Sequence, residues 1–270
     1  MKTNTELIIL GTGNAMVTRC YNTCFAIRKN EACLLVDAGG GNGIFRQLED
    51  AGISVSQIHH LILTHAHSDH ILGVVWLVRK VAAAMLAGKY EGDFHIYCHK
   101  EAGEALYTIC SVTLAGKFMK CIGERIFIHT VKDAQCVEIM DMPVTFFDIG
   151  STKMKQFGFR LVAEGKAVTC LGDEPFYECE RIYAEGCDYL LCEAFCTYRD
   201  REIFKPYEKH HSTALDAGKL AQELSVKNLI LYHTEDKTLE RRKELYTEEA
   251  AQFFKGNIFV PDDLERISIT

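Results

Sequence analysis

Only 4 prolines occur in 270 residues, and no serine- or glycine-rich linker or low-complexity run interrupts the chain. Nothing in the composition divides it, so one domain over residues 1–270 is expected. No apolar stretch has membrane length: the longest, Ile71 to Val78, stops at Arg79-Lys80, far short of the roughly 20 residues a spanning helix needs. The opening Met1-Lys2-Thr3-Asn4-Thr5-Glu6 is polar, and the Leu7-Ile8-Ile9-Leu10 run behind it is too short for the core of a secretion signal. A cytoplasmic location with no membrane partner is the expectation. The 12 cysteines contain no Cys-x-x-Cys pair. Cys20/Cys24 and Cys192/Cys196 are spaced Cys-x-x-x-Cys without zinc-knuckle spacing, so reduced, mostly buried thiols are expected. Positive charge is also short, with 30 Lys and Arg against 37 Asp and Glu and a net charge of -7. That balance disfavours a surface built throughout to hold a polyanion, although a local basic patch would not show in the total.

What is present is ordinary for a globular protein with a substantial core: 48% hydrophobic and 25% charged residues. Short apolar runs end in Gly, Asp, Thr, Glu or His at Leu7–Leu10, Ala32–Val36, Leu61–Leu63, Ala167–Leu171, Tyr189–Cys192 and Leu229–Tyr232. They read as buried strands. Between several of them lie segments of helical character: 43–51, 71–86, 100–109, 213–224 and 237–254. The alternation predicts an α/β layered fold with two halves meeting near Asp148.

The densest chemistry is Thr64-His65-Ala66-His67-Ser68-Asp69-His70. In an extended segment alternate side chains share a face, so His65 and His67 can offer two imidazoles to one ion. The turn into a helix starting near Ile71 then swings Asp69 and His70 toward a neighbouring ion. Any one of these histidines alone would suit a solvated loop, but four ligand-type residues in six have no packing rationale. Imidazole and carboxylate suit zinc, with manganese or iron also accommodated.

His-x-His-x-Asp-His is the hallmark of the metallo-β-lactamase superfamily, and the sequence resembles that superfamily over nearly its whole length. It is most similar to the ribonuclease Z branch, through Leu10-Gly11-Thr12-Gly13-Asn14-Ala15, Leu34-Leu35-Val36-Asp37-Ala38-Gly39, Gly172-Asp173, Cys192-Glu193-Ala194-Phe195, His211-Ser212-Thr213 and Leu231-Tyr232-His233. The resemblance implies an αββα four-layer sandwich of two β-sheets flanked by helices. It implies one metal held by His65, His67 and Asp173, and a second by Asp69, His70, His233 and the same bridging Asp173. It further implies that Glu193 and His211 act near a scissile phosphate, although His211, Ser212 or Thr213 could instead cap the following helix. Asp37 is expected to fix a ligand histidine through its other ring nitrogen.

Two departures stand out. A third histidine for the first site is expected shortly before Phe157-Gly158-Phe159-Arg160, near Thr152, and none is there. An oxygen of Asp148, Ser151 or Thr152, or His210 swinging in, are the substitutes the sequence offers. The glycine-rich basic arm that ribonuclease Z enzymes use for the tRNA body is also missing, since Phe157 to Asp173 is only hairpin-length.

These readings converge on a hydrolase with a metal-bound hydroxide as nucleophile, Asp69 as a further proton acceptor, and a small phosphodiester, with RNA as the larger alternative, for substrate. tRNA 3′ processing, carboxyl- or thiol-ester hydrolysis, and a non-catalytic metal-binding regulatory module stay open. So does a homodimer.

Overall fold

The computed structural model describes residues 5–270. The first sheet is built from β1 (Thr5–Gly11), β2 (Cys24–Lys29), β3 (Ala32–Val36), β4 (Ile58–Ile62), β5 (Phe94–Cys98) and β6 (Ile126–Thr130). The second takes β7 (Cys136–Ile139), β8 (Met142–Asp148), β9 (Phe157–Ala163), β10 (Lys166–Cys170), β11 (Tyr189–Glu193), β12 (Asn228–Tyr232) and β13 (Asn257–Phe259). The last strand, β14 (Arg266–Ile269), crosses back to lie antiparallel to β1. Each sheet is therefore seven-stranded, in the orders β14-β1-β2-β3-β4-β5-β6 and β13-β12-β11-β10-β9-β8-β7.

Burial explains the layering. Central strands such as β1 and β11 are buried along their full length, as strands covered on both faces must be. Alternate residues of the first sheet feed two cores. Ile8, Leu10, Leu35 and Leu61 pack outward on helices α1 (Ile44–Asp50), α2 (Ser68–Leu86) and α3 (Lys100–Thr113). Leu7, Ile9, Leu34 and Ile62 pack inward against Phe146, Phe159, Leu161 and Leu191 of the second sheet. The second sheet's outer face buries Leu190, Leu229 and Leu231 under the helices Ala214–Glu223 and Arg242–Ala250. This is the expected αββα sandwich.

Three boundaries differ from the sequence reading. The chain changes sheet between Thr130 and Cys136, not near Asp148, because β7 and β8 form a hairpin within the second sheet. Its turn places Met140 and Asp141 at φ 54° and 56°, a left-handed pair usually written Asn-Gly, so the residues gave no turn signal. α2 starts at Ser68, three residues before Ile71, which puts Asp69 and His70 in its first turn. The helix anticipated over 237–254 is confined to Arg242–Ala250 after a 3₁₀ turn at Leu239–Arg241. One glycine is needed for close approach: a Cβ on Gly73 would lie 1.8 Å from the Ala38 carbonyl oxygen, so only glycine lets α2 sit this tightly against the loop after β3.

Candidate metal centre

Every expected ligand sits just beyond a strand end, where the inner edges of the two sheets meet. His65 and His67 follow β4, and Asp69 and His70 open α2. A carboxylate in the first turn of a helix faces its positive end. Asp173 follows β10 and His233 follows β12. Asp37 and His233 both hold left-handed backbone, φ 54° and 58°, an uncommon state for residues other than glycine that is found at sites the surrounding structure over-determines.

Two groups of ligand atoms converge, His65/His67/Asp173 and Asp69/His70/His233, all within 4.8 Å of one another in each group. Asp173 stands between them. Its Oδ2 lies 3.4 Å from His65 Nε2, 3.5 Å from His70 Nε2, 3.7 Å from His233 Nε2 and 4.0 Å from His67 Nδ1. Burial would push this carboxyl up, yet the imidazoles of His65, His70 and His233 outweigh it and hold Asp173 well below the usual carboxylate range. His233 is pushed down to about 3, chiefly by burial. His70 is driven down by burial but raised more by Asp37 and Asp69, so its imidazole ends well above its ordinary value.

Hydrogen bonds behind the histidines set which nitrogen faces inward. Asp37 Oδ2 accepts from His70 Nδ1 at 2.7 Å and from the Thr64 hydroxyl at 2.7 Å. With its proton given to Asp37, Thr64 Oγ1 can only accept from His65 Nδ1, 2.9 Å away. Thr23 Oγ1 donates to the Gly13 carbonyl and so accepts from His233 Nδ1 at 3.2 Å. All three rings thus use Nδ1 as a donor and turn Nε2 toward Asp173, leaving that atom as the one able to serve as a ligand. His70 Nε2 and Asp173 Oδ1 are buried with no hydrogen-bond partner. Buried polar atoms are rarely left unpaired, and an inward-facing set of nitrogen and carboxylate donors fits a divalent cation.

The third-histidine position stays unfilled. Thr152 is exposed, Ser151 Oγ donates to Glu174 Oε1 at 2.6 Å, and Asp148 pairs with Lys155 at 3.3 Å. His210 is exposed on left-handed backbone at φ 57°. Among the described residues, neither converging group includes any of these four.

Glu193 and His211 do come together. His211 Nδ1 lies 3.6 Å from Glu193 Oε2, and both atoms are buried without a closer partner. Burial pushes His211 down, but the Glu193 carboxylate outweighs it and holds the imidazole above its usual range. Glu193 itself is raised by burial. The capping alternative falls to Thr213, whose hydroxyl accepts from Asp216 N to open the helix Ala214–Glu223. His211 instead stacks on Phe195, ring centroids 4.7 Å apart.

A cavity of about 280 Å³ is lined by His67, Asp69, Asp173, His211 and His233, and also by Lys153, Gln156 and Glu174. Those last three were not singled out from the sequence. Glu174 follows Asp173 directly and could have been suspected; Lys153 and Gln156 carried no signal in a loop of mixed residues. A larger cavity, about 630 Å³ between α3 and β6, contains none of the clustered ligands.

Across residues 5–257 the chain matches the family described as Anti-Pycsar protein Apyc1. The chain belongs to that family. It is also 26% identical to the ribonuclease Z of Thermobifida fusca, over 98% of this chain and 94% of that one. That alignment runs over 306 positions against 270 residues here, so the relative carries inserted residues that this chain lacks. Among solved structures, the metallo-β-lactamase fold protein YhfI of Bacillus subtilis superposes with a TM-score of 0.79 at 17% identity, covering 98% of this chain and 100% of that one. The short form of human tRNase Z gives 0.76 at 19%, covering 98% and 99%. The fold of this family member is thus the metallo-β-lactamase fold. β9 and β10 are joined directly at Glu164-Gly165 with no arm between them, and among the described residues no helix is long and apolar enough to cross a membrane.

Proposed function

We propose that this chain is a metal-dependent phosphodiesterase of the ribonuclease Z type that acts on small diesters, with zinc as its resident metal. The observation that carries the reading is one cavity lined by members of both ligand groups, His67 and Asp173 of one and Asp69 and His233 of the other, and by His211, whose Nδ1 lies 3.6 Å from the buried Glu193. His65, His67 and Asp173 would hold one ion; Asp69, His70, His233 and Asp173 would hold the other. When bound, such ions acidify water toward neutrality and polarise a phosphoryl oxygen. The protein's own groups do the remaining work. Asp173, an anion between the two groups, would offset the repulsion between cations held there. Asp69 accepts a proton from the attacking water. His211, whose protonated form the neighbouring Glu193 favours, donates a proton to the departing alkoxide, which a phosphodiester with a poor leaving group requires. Ribonuclease Z relatives and the phosphate-directed pair favour a phosphodiester over a carboxyl ester, and the missing arm with the -7 charge favours a small diester over a tRNA body, whose phosphates need an extended cationic surface.

The test compares zinc-loaded protein on a bis-aryl phosphate, on diesters with progressively poorer leaving groups, and on precursor tRNA. Turnover of the small diesters with poor tRNA processing is expected. His211→Ala should slow poor leaving groups about 10²–10⁴-fold and good ones far less. Efficient tRNA processing would overturn the substrate, and an equal loss across leaving groups would remove His211 from the proton-donor role.

A further inference from the structure

Lys153 is the only lysine or arginine among the residues lining the cavity that holds the ligand groups. It directly follows Thr152, where the resemblance placed a histidine ligand. Two neighbouring carboxylates are engaged elsewhere: Glu174 Oε1 accepts from Ser151 at 2.6 Å and from Gln156 at 3.4 Å, and Asp148 is paired with Lys155. Among the described residues Lys153 forms no ion pair; its ammonium donates to the Lys209 carbonyl. An ammonium carries three donors, so two are left for a ligand. The Lys209 contact also bridges the loop after β8 to the segment that ends in His211, which sets the lysine on the same cavity as the proton donor.

From this placement we propose that Lys153 is a substrate-binding residue that takes a non-bridging phosphate oxygen and selects an anionic phosphodiester over uncharged esters. The inference rests on the phosphodiesterase reading and deepens it. Where the resemblance expects a neutral metal ligand, this wall instead offers a positive charge to the substrate. Lysine suits the role because a compact point charge on a flexible stem follows a phosphate without fixing its orientation.

The experiment measures kcat and KM of zinc-loaded wild type, Lys153→Gln and Lys153→Arg on a bis-aryl phosphate and on an aryl acetate, with metal content and unfolding midpoint measured alongside. Lys153→Gln should lose roughly tenfold or more in kcat/KM on the diester, the size of one charge-assisted contact. Most of that loss should lie in KM, with aryl acetate turnover, zinc content and midpoint unchanged. Lys153→Arg should recover much of it. Binding of inorganic phosphate by calorimetry should weaken in parallel, and wild-type affinity should fall with salt more steeply than the variant's. Equal losses on both esters, or wild-type phosphate affinity in Lys153→Gln, would overturn the proposal. A wild type that cleaves no diester yet loses phosphate affinity in Lys153→Gln would strike the phosphodiesterase reading alone.

Discussion

The two groups of candidate ligands flank Asp173 but differ in how they are enclosed. Asp69, His70 and His233 are all buried, and the two rings lean on fixed partners, Asp37 behind His70 and Thr23 behind His233. On the other side His65 is buried and braced by Thr64, but the His67 side chain is 34% exposed and shares its inward nitrogen with His65 at 2.9 Å. Among the described residues no further group beyond Asp173 joins them. Enclosure and support from behind would favour retention of an ion by the Asp69/His70/His233 group, because ligands held in place by outer partners bind more tightly.

The comparison can be broken most severely at the residue common to both halves. Asp173→Asn removes the anion between the cations, and zinc content should fall on both sides with turnover abolished; two ions per chain by elemental analysis would contradict the shared-carboxylate arrangement. Next, chelator titration of wild type should release metal in two phases, the His65/His67 ion first. Asp69→Ala or His70→Ala should delete the slow phase. Release in a single step would show the halves to be equivalent after all. A smaller effect is expected behind the ligands. Asp37→Asn weakens the brace on His70 and Thr64 together, and metal affinity should drop about 10–100-fold, read by competition with a fluorescent chelator.

The smallest effect lies away from the metals, where His60 stacks on His95, ring centroids 5.3 Å apart. Burial, with help from His95 and His59, pushes His60 from 6.5 down to about 4. The unfolded chain takes up a proton there that the folded chain refuses, so stability should decline as pH falls from about 6.5 toward 4. His60→Phe should flatten that decline in urea melts; an unchanged pH profile would remove His60 from the account.

Much of this centre was legible in the residues because the ligands are crowded into Thr64–His70 and because Asp173 and His233 end strongly apolar strands. The layered fold followed from the same runs. Legibility ended where contacts are made across the two sheets. Thr23 and Lys153 belong to loops with no local pattern, and only tertiary packing brings them beside His233 and His211. The change of sheet was misplaced by the β7–β8 hairpin, whose Met140-Asp141 turn lacks the residues that usually mark one. The empty third-ligand position was visible as an absence, but what occupies that wall was not.

The candidate ligands are also divided between the sheets: His65, His67, Asp69 and His70 follow strand β4 of the first, Asp173 and His233 follow strands of the second, and Phe157 N donates to the Thr64 carbonyl across the join at 3.0 Å. An ion bound here is a rivet through two plates. Because the unfolded chain cannot present that divided set, occupancy adds to the stability of the sandwich by mass action, about 2.7 kcal/mol when free metal stands at 100 times its dissociation constant. The thermal midpoint should therefore serve as a gauge of metal supply, and a chain starved of metal should loosen at the seam between the sheets before either sheet's outer core gives way.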